Sequence, residues 1–393
     1  MSLTRWERPD PGRSPQGTRF VELEGLRGIA ALLIVFYHLP YWHPSLRALP
    51  IVENGSLMVE LFFVLSGFVI AGAYRHRIRS TGELASFQLL RLGRLYPVHL
   101  LFLAFFLIVE CSKAFLAARY GVKSYNTEAF RENSWAAFVE QLLLIHPIVP
   151  TGNAVTFNSP AWSIGVEFYT YLVFGLVVLL GQSRFVAVSA AISLVSFVLL
   201  AWGGLPQHVW VLKCLTGFFL GCLVQAAASR RRDALPTWFV TGSLVAVLAY
   251  LSVPLDIRLH LAIFPLSALL IFAMVTSADG LGRRLFRARP LAWLGRISYS
   301  LYMAHAAMIW IVTQVVRFAL SPPQALSPSG HIDAELSAGQ ATVASAAVVL
   351  STLGVGYLVC RYLEEPLRDA TRRWVARRSA IRAFPAARRE GTG

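Results

Sequence analysis

The chain has 393 residues, 56% hydrophobic and 15% charged, with a mean hydropathy of +0.56 and a formal net charge of +15. Uncharged runs of 18 or more residues recur, which excludes an ordinary soluble domain and makes a bilayer the expected solvent. The basic residues fall in clusters between apolar runs, with no zinc-finger spacing, no RNP-type aromatic motif and no free-standing basic domain. Nucleic acid is therefore not an expected partner.

In chain order, residues 1–19 are rich in Pro, Gly and Arg and read as a disordered cytoplasmic N-terminus. Residues 20–365 read as one membrane domain and 366–393 as a basic cytoplasmic tail along the anionic inner leaflet. Within the domain ten apolar segments stand out: 20–42, 56–74, 90–110, 160–181, 184–203, 208–228, 236–252, 259–277, 295–318 and 340–362. The expected fold is all-α, a polytopic membrane protein with about ten transmembrane helices and both termini cytoplasmic, in the inner (cytoplasmic) cell membrane. With that topology 27 of the 36 Lys and Arg residues fall inside and 7 outside, Lys123 and Arg258 among the latter, a strong positive-inside bias. Trp42, Trp162, Trp202 and Trp210 then fall at the outer interface, with Trp238 and Trp293 at the inner one. Residues 19–42 imitate a signal peptide, but no small-residue cleavage site follows, so the segment is expected to be retained. The longest outer segment, 111–159, holds a mixed stretch from Trp135 to Ile148 that suits an amphipathic surface helix. A second outer loop, 319–339, is rich in Pro and Ser. Cys111, Cys214, Cys222 and Cys360 show neither metal-ligand spacing nor a disulfide framework and read as small buried hydrophobes, so no metal is expected.

The first segment carries the most informative residues. Arg27 and His38 stand in an apolar run, eleven residues apart, which is about 16 Å along a helix at 1.5 Å per residue. Ionisable side chains at such depth are costly and point to function. The spacing suits a site that grips a long ligand at one end and reacts with its far end. Counting turns from the segment ends puts His38, Glu60 and Glu167 in one outer layer, with Ser163, Glu167 and Tyr171 on a shared helix face. A histidine beside carboxylates in a dry site is the arrangement of a general base oriented by an acid. At the inner end Arg91 and Arg94 share a face and, with Arg27, could clamp phosphates, since guanidinium binds them bidentately. Ser298, Tyr302 and His305 share a face of the ninth segment, with Tyr299 beside them.

Each residue alone also has an ordinary reading. Arg91 and Arg94 fit the positive-inside pattern, Lys213 can snorkel, Arg27 can pair with Glu24, and Glu364 and Glu365 read as solvated. Glu60 is close enough to the surface to reach interfacial water, His38 could snorkel outward, and His305 could be a bonded core histidine. The joint arrangement favours chemistry. A transporter or flippase for acyl groups or lipid-linked sugars is the alternative, but no inverted repeat with paired broken helices is visible.

Six segments in series resemble the acyltransferase-3 family of integral membrane O-acyltransferases: ELEGLRGIAA from Glu22 leading to Tyr37 and His38, VELFFVLSGF from Val59, RLGRLYP from Arg91, WSIGVEFY from Trp162, LGRISYSLYMAH from Leu294, and EEPL from Glu364. The resemblance covers about residues 20–368, and the motifs, each weak alone, are specific in combination. The family's arginine and histidine pair falls on Arg27 and His38, and its loop arginines on Arg91 and Arg94. Glu60 stands where the family often has Asp. The resemblance implies transfer of an acyl group, with acetyl expected, from cytoplasmic acyl-CoA to a hydroxyl of a cell-envelope glycan, a lipid-linked sugar or a glycosylated small molecule. Some members add an esterase-like domain, whereas here a short basic tail follows. Acyl-CoA (acetyl-CoA first) is then a co-substrate rather than a bound cofactor. The expected partners are acyl-CoA, the glycan or glycoside acceptor and the lipid bilayer, with the oligomeric state open. In this reading His38 is the base, Glu167 or Glu60 orients it, Arg27, Arg91 and Arg94 hold acyl-CoA, and Tyr299, Tyr302 or His305 serves the acyl site or oxyanion.

Overall fold

A computed structural model describes residues 20–122, 124, 127–256, 259–326, 330 and 332–387, with side chains through residue 378. The N-terminal segment 1–19, Lys123 and Arg258 lie outside the described residues. The helices are α1 (Val21–His38), the short α2 (Pro44–Arg47) and α3 (Pro50–Glu53), α4 (Met58–Tyr74), α5 (Thr81–Tyr120), α6 (Trp135–Leu142), α7 (Ala161–Gly181) and α8 (Phe185–Trp202). Then come α9 (Val209–Arg230), α10 (Trp238–Leu251), α11 (Ile263–Thr276), α12 (Leu281–Phe286) and α13 (Arg289–Leu320). A hairpin of β1 (Gln324–Leu326) and β2 (Ile332–Ala334) precedes α14 (Ala338–Val359) and α15 (Glu365–Ala387).

The protein is a multi-pass membrane protein, but the expected count of ten spans is corrected. Among the described residues seven helical stretches are long and apolar enough to cross a membrane: Pro50–Tyr74, Thr81–Tyr120, Ala161–Trp202, Pro206–Arg230, Leu259–Thr276, Arg289–Leu320 and Ala338–Arg378. Three physical reasons account for the difference. The eighteen residues of α1 hold Glu22, Glu24 and Arg27, too much charge for a simple apolar span. Segments 160–181 and 184–203 run on as one 42-residue helical stretch through the turn Gln182–Arg184. Finally α10 has 14 residues, about 21 Å of helix against a hydrocarbon core of about 30 Å.

Local sequence explains where the elements begin and end. Ser80 caps α5 by accepting from the Glu83 amide, and Glu83 in turn accepts from the Arg79 amide. Ser337 and Gln340 form a reciprocal capping box at the start of α14. Gly121, at φ 68°, ends α5 in the left-handed conformation that glycine adopts without strain. The amphipathic stretch at 135 is helical only to Leu142; it seats buried Ala137 and Gln141 on the protein and leaves Trp135, Val139 and Leu143 exposed. Glu110 of α5 ties the preceding loop down by accepting from Lys113, the Phe130 amide and Asn133.

The main core is aromatic, with Phe63, Phe87, Phe174, Phe218, Phe219 and Phe264 fully buried between α4, α5, α7, α9 and α11. A second core joins α1 to α13 and α14 around Ala31, Val35, Ile297 and Leu301. Exposed apolar side chains such as Ile108, Leu180, Val195 and Val198 form the lipid-facing surface of the bundle.

The α1–α13 contact positions the site. A Cβ on Gly295 would lie 2.0 Å from the Glu24 carbonyl oxygen, and one on Gly28 would lie 2.6 Å from the Gly295 nitrogen. Only glycine admits this approach of two backbones. Ten residues further along each helix His38 faces His305, with ring centroids 4.8 Å apart. Equal offsets mean that α1 and α13 run parallel and side by side over about 15 Å.

Candidate active site

The arginine end is built around a narrow cavity between α1, α4, α5, α7 and α13. Arg27, Arg91 and Arg94 all line it, together with Ser66, Glu167 and Tyr171. Ser163, Ser298, Tyr299 and Tyr302 line its continuation along α13. Arg91 is 8% exposed; its guanidinium lies 5.2 Å from the Tyr74 ring centroid, 5.7 Å from Phe87 and 5.9 Å from Tyr171, and donates to the Tyr74 hydroxyl at 3.1 Å. A planar, weakly hydrated cation suits such an aromatic box, and a lysine would not. The Arg91 Nε is buried without a hydrogen-bond partner. Arg27 and Arg94 have each other, Glu167, Tyr171 and Glu364 as electrostatic neighbours.

Glu167 belongs to this end. It accepts the Tyr171 hydroxyl proton at 2.6 Å, and Ser66 completes the chain at 3.0 Å from the same hydroxyl. Because the Tyr171 proton is given to the carboxylate, Ser66 must be the donor to Tyr171. Ser163, one turn before Glu167 on α7, bonds the Tyr302 hydroxyl at 2.9 Å. Glu167 is therefore a turn nearer the arginines than Tyr302 is.

The histidine end lies one turn beyond Tyr302. His38 is exposed, and its Nδ1 bonds the Ile34 carbonyl at 2.9 Å. His305 is fully buried, with Nδ1 on the Tyr302 carbonyl. A carbonyl only accepts, so both rings carry their proton on Nδ1 when neutral, and each presents an Nε2 lone pair. The His305 Nε2 has no hydrogen-bond partner. Tyr302 joins the two ends, since it lines the cavity and lies 5.6 Å, centroid to centroid, from the His305 ring. Arg47 is an electrostatic neighbour of His38; it is held by the Tyr37 carbonyl, the Tyr41 hydroxyl and Glu53.

Several expected groupings come out differently. Neither Glu60 nor Glu167 touches His38, because counting turns fixes depth along a helix but not direction around it. Glu60 turns instead to Lys213 on α9, in an ion pair at 2.7 Å between a buried carboxylate and a half-buried lysine. Glu364, read as solvated, is buried and accepts from Ser300 at 2.7 Å. The Tyr299 hydroxyl donates to the Leu95 carbonyl and the Tyr302 hydroxyl to the Pro160 carbonyl, so neither has a proton left for an oxyanion. The sequence singles out neither Tyr74 nor Ser66, and it reads Glu364 only as solvated. The signal for Glu364 was its place in the EEPL motif, and Tyr74 and Ser66 carry no local signal. The thiols of Cys214, Cys222 and Cys360 are buried, whereas Cys111 is exposed. Among the described residues no cluster of His, Cys, Asp and Glu could hold a metal ion.

The site thus has two ends joined by Tyr302, one lined by three arginines and one carrying the paired imidazoles of His38 and His305. The model of the acyltransferase-3 family, described as an acyltransferase domain, matches residues 20–361. The chain belongs to this family. The acyltransferase MdmB of Streptomyces mycarofaciens is 31% identical over 170 residues, 41% of this chain and 40% of that protein. The putative peptidoglycan O-acetyltransferase YrhL of Bacillus subtilis (strain 168) is 25% identical over 332 residues, 75% of this chain and 49% of that protein. Protein 2 in the picA locus of Rhizobium radiobacter is 33% identical over 165 residues, 40% of this chain and 81% of that protein. The chain thus spans at most about half the length of the first two relatives. No solved structure matches.

Proposed function

We propose that this acyltransferase domain transfers an acyl group, acetyl first, from acyl-CoA to a hydroxyl of a cell-envelope glycan, lipid-linked sugar or glycoside. The observation that carries the reading is the contact path from the three cavity arginines, through Tyr302, to the His305–His38 pair. Arg27, Arg91 and Arg94 would hold the phosphates of acyl-CoA, and the extended thiol arm would run along α1 over the roughly 16 Å to His38. The His38 Nε2 takes the acceptor hydroxyl proton as the oxygen attacks the thioester carbonyl. The C–S bond then breaks, and the His38 imidazolium returns the proton to the leaving thiolate, so that the products are an ester and CoA thiol. His305 takes the place given to a carboxylate: it shares the proton of the His38 imidazolium through its own free Nε2. Glu167 keeps the arginine end in order, Tyr299 and Tyr302 shape its wall, and Glu60 holds α4 to α9. The name of the Bacillus relative supports a glycan acceptor, and that of the Streptomyces relative supports the acyl transfer alone.

The test is thiol release from acetyl-CoA by the full chain in lipid nanodiscs, with cell-envelope glycan extract as acceptor. Wild type should turn over, and His38→Ala should lose at least about a hundredfold in kcat while still binding CoA. Full turnover by His38→Ala would sink the scheme. CoA binding with no thiol release by wild type over a panel of hydroxyl acceptors would favour movement of the acyl donor without bond formation.

A further inference from the structure

The family match ends at residue 361, and α15 lies beyond it. This helix does not leave the bundle. It packs along α5, and a Cβ on Gly93 would lie 2.3 Å from the Thr371 Oγ1. Gly93 stands between Arg91 and Arg94, so α15 crosses α5 at the level of the two cavity arginines, and glycine is the residue that allows it. The next residue, Arg372, has Arg368, Asp369, Tyr74 and Arg94 as electrostatic neighbours. Tyr74 is the residue that bonds Arg91. The Arg372 side chain is 60% exposed and ion-paired with Asp369 at 3.7 Å.

Charge balance gives this placement a purpose. Arg27, Arg91 and Arg94 face Glu167 and Glu364, so three cations against two carboxylates leave one net positive charge. The nucleotide end of CoA carries three phosphoryl groups and about four negative charges. The cavity alone is too weakly cationic for it, and the buried Arg91 Nε still has no partner. Resting on the acyl-CoA reading above, we propose that α15 completes the nucleotide-binding end of the site, with Arg372 as an outer phosphate ligand beside Arg91 and Arg94. Acyl-CoA would then bind under a helix that runs on beyond the matched residues.

A phosphate could also come from a lipid headgroup, and the experiment separates the two sources. The full chain is placed in nanodiscs of zwitterionic lipid, or of the same lipid with anionic phosphatidylglycerol. KM is measured for acetyl-CoA and for acetyl-pantetheine, which has the thioester but no nucleotide. Arg372→Glu and the milder Arg372→Gln are compared with Arg378→Glu, where the arginine lies over the Trp374 ring. Arg372→Glu should raise KM for acetyl-CoA about tenfold with kcat unchanged, Arg372→Gln should raise it less, and acetyl-pantetheine and the Arg378 variant should be unaffected. An unchanged KM, an equal rise for both thioesters, or a rise confined to anionic bilayers would overturn the inference. Calorimetric CoA binding keeps its failure apart from that of the acyl-CoA reading. Wild type and Arg372→Glu binding equally refutes only the role of α15; no binding by wild type refutes the acyl-CoA reading and this inference with it.

Discussion

The two ends of the site solve opposite electrostatic problems. At the arginine end charge is present and compensated: Glu167 and Glu364 lie near Arg27 and Arg94, and aromatic rings surround Arg91. At the histidine end no carboxylate among the described residues is bonded to either ring, and two backbone carbonyls fix both protons on Nδ1. Low-dielectric surroundings favour cations only where counter-charge or π faces are supplied. In the proposed scheme the arginines serve as permanent charges for binding and the imidazoles as bases for proton transfer. That scheme sets substrate grip and chemistry about 16 Å apart along one helix.

This contrast predicts that lesions at the two ends divide cleanly between kcat and KM. The largest effect after loss of His38 itself is expected for His305→Ala, a fall in kcat of about a hundredfold with CoA affinity intact. Turnover within twofold of wild type would mean that His38 works alone. Arg91→Lys should do the reverse, raising KM for acetyl-CoA about tenfold and leaving kcat near wild type. The ammonium keeps the charge but loses the planar stack and the fork that reaches Tyr74. A fall in kcat at saturating acetyl-CoA would break the division.

The smallest effect concerns stability rather than turnover, and it lies away from both ends. His146, in the loop before α7, is buried against His99, their rings nearly parallel at 6.4 Å. Burial, aided by His99, pushes the His146 imidazole down to about 3. The unfolded chain, with a histidine near 6.5, binds the proton first, so stability is complete above that value and is lost as pH falls from about 6.5 towards 3. The slope should approach about 1.4 kcal/mol per pH unit. Thermal melts between pH 7.5 and 5 should show this decline, weakened in His146→Leu; identical slopes in the two proteins would assign the acid sensitivity elsewhere.

What could be read along the chain was one-dimensional information. The apolar runs and the placement of charge determined a helical membrane protein, the serial motifs determined the family, and the Arg27–His38 interval set the spacing of the two candidate ends along α1. Even here the number of spans was overread. Hydropathy alone does not show that 160–203 is one helical stretch, that α10 is too short to cross, or that the charges of α1 set it apart. The packing of α1 on α13 was hinted at by Gly28 and Gly295, but only the fold shows that they meet.

Direction around each helix was left to tertiary structure. Successive residues turn by about 100°, so a depth count says which layer a side chain occupies and nothing about which neighbour it faces. That is why Glu60 points to Lys213, why Glu167 joins the arginines instead of His38, and why His305 is the residue facing His38. The sequence determined which groups are expensive to bury. Packing decided which of them meet, because each buried charge or lone pair had to find its partner among the helices placed against it.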